Sequence, residues 1–313
     1  MDYKTYLKLI RVSNENISKY INTENCKIYH YTSPMGLNGI LANHTLRFTD
    51  RNYLNDYSEG RYVLELCLKS RFEIVLPIEY RRYFKDYCRE LWNNPTKKQR
   101  YVYQCSFSID SDNLSLWNYY TKSDGIKGYN IGFYSKDLEN QLETAPLIPR
   151  EHGLKVFCGK IIYNERKQKE ILKSVVRDFS KVITDYKEDK TFCKIAVEVL
   201  VEKILQVGAF FKNNCFKHEN EYRLLLFLTA VWDKQSQSIK FMILNKGVST
   251  YEKNGLLIPY VDIEFPRNIL QEITISPTII HDEAQGNLRN ALKLHSYEFN
   301  QVLICQSKIP VRY

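Results

Sequence analysis

The stretch IYHYTSPMGLNGILANHTLRF, residues 28–48, decides how the chain begins to fold. It opens as a strand, expected over about 26–31. Ser33 then suits a helix N-cap and Pro34 the first helical position. Leu37, Ile40 and Leu41 line one face of a short helix, and TLRFTD reads as a second strand. His30, Tyr31 and Thr32 therefore fall where a strand meets a helix. An imidazole both donates and accepts, and Thr32 adds a hydroxyl at the helix start, a combination suited to a sugar hydroxyl or an amide. The alternative is a satisfied core histidine beside a threonine that helps start the helix.

Two more polar constellations lie downstream. In CSFSIDSDNLSLWNYYTKSDGIKGYNIGF, residues 105–133, Ser106 and Ser108 follow a strand. Trp117, Tyr119 and Tyr120 then sit on a short helix, where aromatic faces either stack on a planar ligand or pack the helix onto a sheet. In KHENEYRLLLF, residues 217–227, period-two alternation puts Glu219, Glu221 and Arg223 on one face and Tyr222, Leu224, Leu226 and Leu228 on the other. Charges at the mouth of so apolar a strand are costly to bury unpaired. They read as a structural ion pair or as a carboxylate held for chemistry by an arginine.

Between these stretches the pattern gives helices over 2–21, 58–70, 79–93, 166–187, 189–212 and 283–295. LNDYSEG reads as a loop. Strands are expected at YVYQCSFS, GYNIGFY, KVFCGKIIY, EYRLLLFL, IKFMIL, LLIPYVDIE, LQEITIS and QVLICQS. Strands separated by long helical crossings indicate α+β, without the regular alternation of a doubly wound parallel sheet. No G-x-G-x-x-G and no P-loop is present. The eight cysteines include no C-x-x-C pair, so zinc-ribbon and thioredoxin-like sites lack support. Most of them sit in apolar runs as small hydrophobes.

The net charge of +9 permits nucleic acid, nucleotides or acidic partners. Its carriers are scattered: Arg81 and Arg82, then Lys97, Lys98 and Arg100, then Arg166, Lys167 and Lys169. They suit solvated helix faces equally well. MDYKTYLKLIRVSNEN contains no apolar signal core and no apolar run approaches about 18 residues. The expectation is a cytoplasmic protein with no membrane partner.

Taken together, YHYTSPMGLNGILANHTLRF, NDYSEG, CSFSIDSDNLSLWNYY…GYNIGF, ENEYRLL and the final SKIPVR resemble, in that order, the bacterial family of unknown function numbered 2971. That family looks related to the ADP-ribosyltransferase superfamily. YHYTSPMGLNGILANHTL is similar to the H-G-[ST] motif of the poly-ADP-ribose polymerase branch. The resemblance implies that His30 binds the adenosine ribose of NAD and that Tyr31 and Thr32 lie at the nicotinamide amide. Tyr31 stands where that motif has glycine, and His44 replaces the later glycine of its I-L-x-x-G turn. Ser106 and Tyr120 correspond to the serine-bearing strand and to the tyrosine that stacks on nicotinamide. Glu221 corresponds to the catalytic glutamate and Arg223 to a group orienting it or a phosphate. Glu219-Asn220-Glu221 reads as the E-x-E of arginine-directed transferases.

The implied fold is a single α+β domain over 1–313, with a mixed or antiparallel split β-sheet core of ADP-ribosyltransferase type and a helical insertion at about 166–212. The implied activity is cleavage of NAD, as substrate, with transfer of ADP-ribose to a protein or nucleic-acid acceptor or to water. Two alternatives stay open. One is a catalytically inactive nucleotide- or RNA-binding module of the same fold. The other is an RNA 2′-phosphotransferase-like enzyme, for which Arg47 and Arg223 supply cations.

Overall fold

The computed structural model describes residues 17–54, 61–94, 102–121, 126–144, 154–183, 190–228, 230–233, 238–241 and 248–311. Most of the helix expected over 2–21, the loop residues 55–60, Lys97, Lys98 and Arg100, and the end of IKFMIL lie outside the described residues. The chain divides into two compact units. One comprises Met1–Asn22, Arg51–Tyr101 and Lys160–Phe216; the other comprises Thr23–Asp50, Val102–Gly159 and Lys217–Tyr313.

In chain order the described strands and α-helices begin with β1 (Lys27–Thr32), α1 (Pro34–Asn43) and β2 (Thr45–Asp50), followed by α2 (Tyr62–Lys69) and α3 (Ile78–Asn93). Next come β3 (Val102–Ser108), α4 (Leu114–Tyr120), β4 (Tyr129–Tyr134), α5 (Ser135–Thr144) and β5 (Leu154–Lys160). Two long helices follow, α6 (Glu165–Ile183) and α7 (Lys190–Gly208), then β6 (Glu221–Leu228). The remainder is β7 (Ala230–Asp233), β8 (Ser238–Phe241), β9 (Val248–Lys253), β10 (Leu256–Glu264), β11 (Glu272–Ile275), α8 (His281–Leu294) and β12 (Leu303–Gln306).

The first unit is helical. Along α6, Leu172, Val175, Val176, Phe179 and Ile183 are buried at helical spacing, the pattern of a helix with one face in the core. On α7, Phe192, Ala196, Val197, Leu200, Val201, Ile204 and Val207 are buried, so α7 forms the middle of this unit. The helical block expected at 166–212 is thus α6 and α7, packed together with α2 and α3.

The second unit is a mixed sheet in the order β12-β11-β4-β1-β3-β2-β10-β9, with β6 on β3 and β5 on β6. The ladders between β1 and β4, β4 and β11, β3 and β6, and β2 and β10 are antiparallel, whereas β11 and β12 run parallel. The sheet branches at β3. One edge of β3 pairs with β6 from Val102↔Phe227 to Ser108↔Glu221. The other edge is shared, β2 taking Tyr103 and Gln104 and β1 taking Ser108.

α5, β7 and β9 carry little of the signal used on the sequence. α5 starts directly from β4 with only Leu138 and Leu142 as buried apolar anchors. β9, VSTYEK, is a polar edge strand with a mostly exposed burial pattern. Ser33 caps α1 as expected, its Oγ accepting from the Gly36 amide at 3.1 Å. His44 closes α1 in the left-handed region at φ 44°, the conformation a glycine adopts most cheaply. Among the described residues no helix is long and apolar enough to cross a membrane.

Gly128 is where β1, α4 and the start of β4 meet. A Cβ there would stand 2.6 Å from the Thr32 carbonyl oxygen and closer still to the Thr121 side chain. Gly128 is also held in place, its amide donating to Ser276 Oγ at 3.1 Å and its carbonyl accepting from the Ser276 amide at 3.0 Å. Gly128→Ala should therefore destabilise the protein by about 1–3 kcal/mol, the usual cost of overpacking. Urea unfolding monitored by circular dichroism checks this, and an unchanged midpoint would refute the close approach.

Candidate functional site

Antiparallel register decides which side chains share a face, because directly opposed residues point the same way. Ser108 opposes Glu221, Ser106 opposes Arg223 and Gln104 opposes Leu225. Gln104, Ser106, Ser108, Glu221 and Arg223 thus form one polar patch on β3 and β6, while Tyr222, Leu224 and Leu226 face the other side. Arg223 is 0% exposed and Glu221 6%. The guanidinium grips the carboxylate with both prongs, Nε donating to Oε1 at 2.7 Å and Nη2 to Oε2 at 2.8 Å. A buried carboxylate and a buried guanidinium each lose several kcal/mol of hydration, roughly offset only by such two-pronged geometry. Gln104 Nε2 lies 2.9 Å from Ser106 Oγ and 3.4 Å from Glu221 Oε1, donating to both.

Glu219 departs from the expected extended face. It ends a 3₁₀ turn, Asn214–Glu219, and Asn220 then takes a left-handed conformation at φ 45°. Asparagine tolerates that region better than most residues. The turn is stitched to the end of β3. Ser108 Oγ donates to the Glu219 carbonyl at 2.7 Å, the Ile109 amide to the Asn220 carbonyl at 3.0 Å, and Asn220 Nδ2 to Asp110 Oδ1 at 3.0 Å. Only Glu221 and Arg223 share a strand face, because β6 begins at Glu221.

His30 occupies the branch of the sheet. Its Nδ1 lies 2.9 Å from the Ser106 carbonyl. A carbonyl only accepts, so Nδ1 carries the proton and the neutral ring presents Nε2 as an acceptor. His30 is half-buried as a residue, and burial lowers its pKa from the ordinary 6.5. Tyr29 opposes Ser108, so Tyr29 and Tyr31 belong to the Glu221 face. His30 belongs to the other, with its ring 5.5 Å from that of Phe107. His30 and Glu221 therefore do not share a face of the sheet. Ser106 joins them instead, through its carbonyl to His30 and its hydroxyl to Gln104.

Tyr31 is buried, and its hydroxyl donates to the Asp110 carbonyl at 2.8 Å while accepting from the Asn113 amide at 3.1 Å. Its ring meets Trp117 edge-on at 4.7 Å, a pair worth about 0.5–1.5 kcal/mol beyond area burial. Burial pushes its phenol well up. Trp117 is fully buried and packs α4 down, as one of the two readings of this helix required. Thr32, at the end of β1, is buried and comes close to Thr121 across Gly128. Tyr120, the residue before Thr121, is 43% exposed. The structure thus brings Thr32 towards Thr121, not to Tyr120 itself, and Ser106 towards Glu221 and Arg223.

Sequence reasoning missed Gln104 and the Asp110–Asn113 loop. The polar period-two set Gln104, Ser106, Ser108 within YVYQCSFS was the available signal for the first, and the run DSDN for the second. Asn113 caps α4, its Oδ1 accepting from the amides of Ser115 and Leu116 at 3.0 and 3.4 Å.

A family model described as a protein of unknown function (DUF2971) matches residues 116–224, which supports the resemblance to that family. The matched segment holds Tyr120, Glu219, Glu221 and Arg223, and leaves His30, Tyr31, Thr32 and Ser106 outside it. No curated protein and no solved structure matches the chain.

The pKa of His30 fixes the sign of its pH effect. With the folded-state value lowered, the unfolded chain binds the extra proton first, so His30's contribution is complete above about pH 6.5 and is lost as the pH falls below it. His30→Gln should reduce the loss of stability between pH 7.5 and 5, read from urea midpoints at the two pH values. An unaltered pH dependence would show that His30 titrates alike in both states.

Proposed function

We propose that the chain is an NAD-consuming enzyme of ADP-ribosyltransferase type, which cleaves the nicotinamide–ribose bond and passes ADP-ribose to a macromolecular acceptor or to water. The observation that carries this reading is the order of three neighbouring strands. β3, with Ser106, runs between β1, with His30, and β6, with a carboxylate fixed by Arg223. That is the order in which the resemblance assigns ribose-binding histidine, serine strand and catalytic glutamate. Breaking the glycosidic bond builds an oxocarbenium-like charge on the ribose. A carboxylate already oriented before the reaction stabilises that charge without reorganisation. Arg223 and Gln104 hold the Glu221 carboxylate in one orientation, the condition this reading needs. Tyr120, partly exposed on α4, supplies a ring for the nicotinamide.

A second reading is a nucleotide-binding module of the same fold without transfer chemistry. The deep burial of Glu221 and the engagement of both its oxygens by Arg223 favour it.

Incubation with NAD and assay of free nicotinamide separates the two. The wild type should release nicotinamide, and Glu221→Gln should lose about a hundredfold or more in turnover with little change in NAD binding. The substitution also weakens the pair with Arg223, so activity is taken per folded molecule, measured by circular dichroism on the same samples. Binding without release by the wild type selects the module. Neither binding nor release refutes both readings.

Tyr120 is tested separately by titration with NAD. Tyr120→Ala should weaken binding by about 0.5–1.5 kcal/mol, and Tyr120→Phe should retain it. Equal losses in both variants would assign the contact to the hydroxyl instead of the ring.

A further inference from the structure

α4 is seven residues long, too short to hold itself in water, yet it presents Tyr119 and Tyr120. Besides its cap at Asn113, it is tied through the carboxylate of Asp112. Asp112 Oδ1 accepts from Trp117 Nε1 at 2.8 Å and from Ser307 Oγ at 2.6 Å. Asp112 Oδ2 accepts from the Lys308 amide at 2.7 Å. The same carboxylate thus binds the helix and the segment that follows β12. That segment is fixed at two further points. The Ser307 amide donates to the Ile275 carbonyl at 2.9 Å, and the Ile309 amide to Ser307 Oγ at 3.2 Å. Ile309 then packs on the cluster of Tyr29, Tyr31, Leu116, Trp117 and Ile126 beneath α4.

We infer that Ser307–Ile309 is a strap that positions α4 through Asp112, so that the placing of Tyr120 depends on the segment after β12. Asp112 and Ser307 are positioning residues. They hold the indole of Trp117, and the indole holds the helix. Hydrogen bonds to a charged acceptor are the strong ones, and three donors from two separate segments converge on one carboxylate. The strap stands on this geometry alone; its consequence for NAD rests on the reading proposed above.

The test uses the full chain with ¹⁵N-labelled tryptophan and amide hydrogen exchange. Ser307→Ala should shift the Trp117 indole resonance. It should also speed exchange of the α4 amides by roughly tenfold, leaving the amides of β3 and β6 at their wild-type rates. Ser307→Thr, which keeps the hydroxyl, should restore slow exchange. Asp112→Ala should act in the same direction and more strongly; if it does not fold, Ser307→Ala decides. Unchanged α4 exchange in Ser307→Ala overturns the strap, as does an equal acceleration of every amide in the sheet. With NAD, the strap predicts a raised KM for Ser307→Ala and a wild-type kcat. A wild type that neither binds nor cleaves NAD refutes the proposed function, while hydrogen exchange still decides the strap.

Discussion

A guanidinium with no exposed surface has to be matched where it sits, and the polar centre of this sheet is organised around that demand. Arg223 faces Ser106 across the β3–β6 ladder and takes the carboxylate of Glu221, two residues back on its own strand, with both prongs. The spacing of two is what makes this work, since residues i and i+2 of a strand share a face. Moving either by one position would turn it into the apolar side occupied by Tyr222 and Leu224. A well-packed apolar pair would serve stability at least as well.

The ladder that carries this pair begins abruptly. Asn220, in the left-handed region, breaks the chain direction immediately before Glu221. Bonds from Ser108, Ile109 and Asn220 tie the break to the end of β3. Glu221 is thus the first residue of its strand and lies at the end of the sheet where the Asp110–Asn113 loop, Tyr31 and α4 gather. Carboxylates at strand ends, next to loops fixed by a rigid sheet, are in the usual place for a binding or catalytic group.

Local periodicity made much of this legible. The strands at Thr45–Asp50, Glu221–Leu228 and Leu256–Glu264 coincide with the apolar and β-branched runs that suggested them, and Ser33-Pro34 marks the start of α1 as a cap followed by proline should. The pairing of Glu221 with Arg223 was legible for the same reason, as a matter of spacing along one strand. What spacing could not supply was register between strands distant in the chain. That register sets Tyr29 and Tyr31, not His30, on the Glu221 face. Nor could it supply the conformation of Asn220, a single residue whose dihedral removes Glu219 from the strand. Asp112 was equally hidden, because its meaning lies in partners 5 and 195–196 residues away.

The branch of the sheet gives His30 its place. The outer edge of β3 pairs with β2 at Gln104 and with β1 at Ser108. Between them lies the Ser106 carbonyl, and a backbone acceptor within a folded sheet needs a donor. The imidazole of His30 is that donor. The bond is required by the branching whatever the protein binds, so the reading of His30 as a satisfied histidine is correct as far as Nδ1 goes. Satisfying Nδ1 also has a chemical result: it fixes the tautomer, and a lowered pKa favours the neutral ring. Nε2 is then an acceptor. The bond at Nδ1 thus leaves the other nitrogen of the ring as its acceptor.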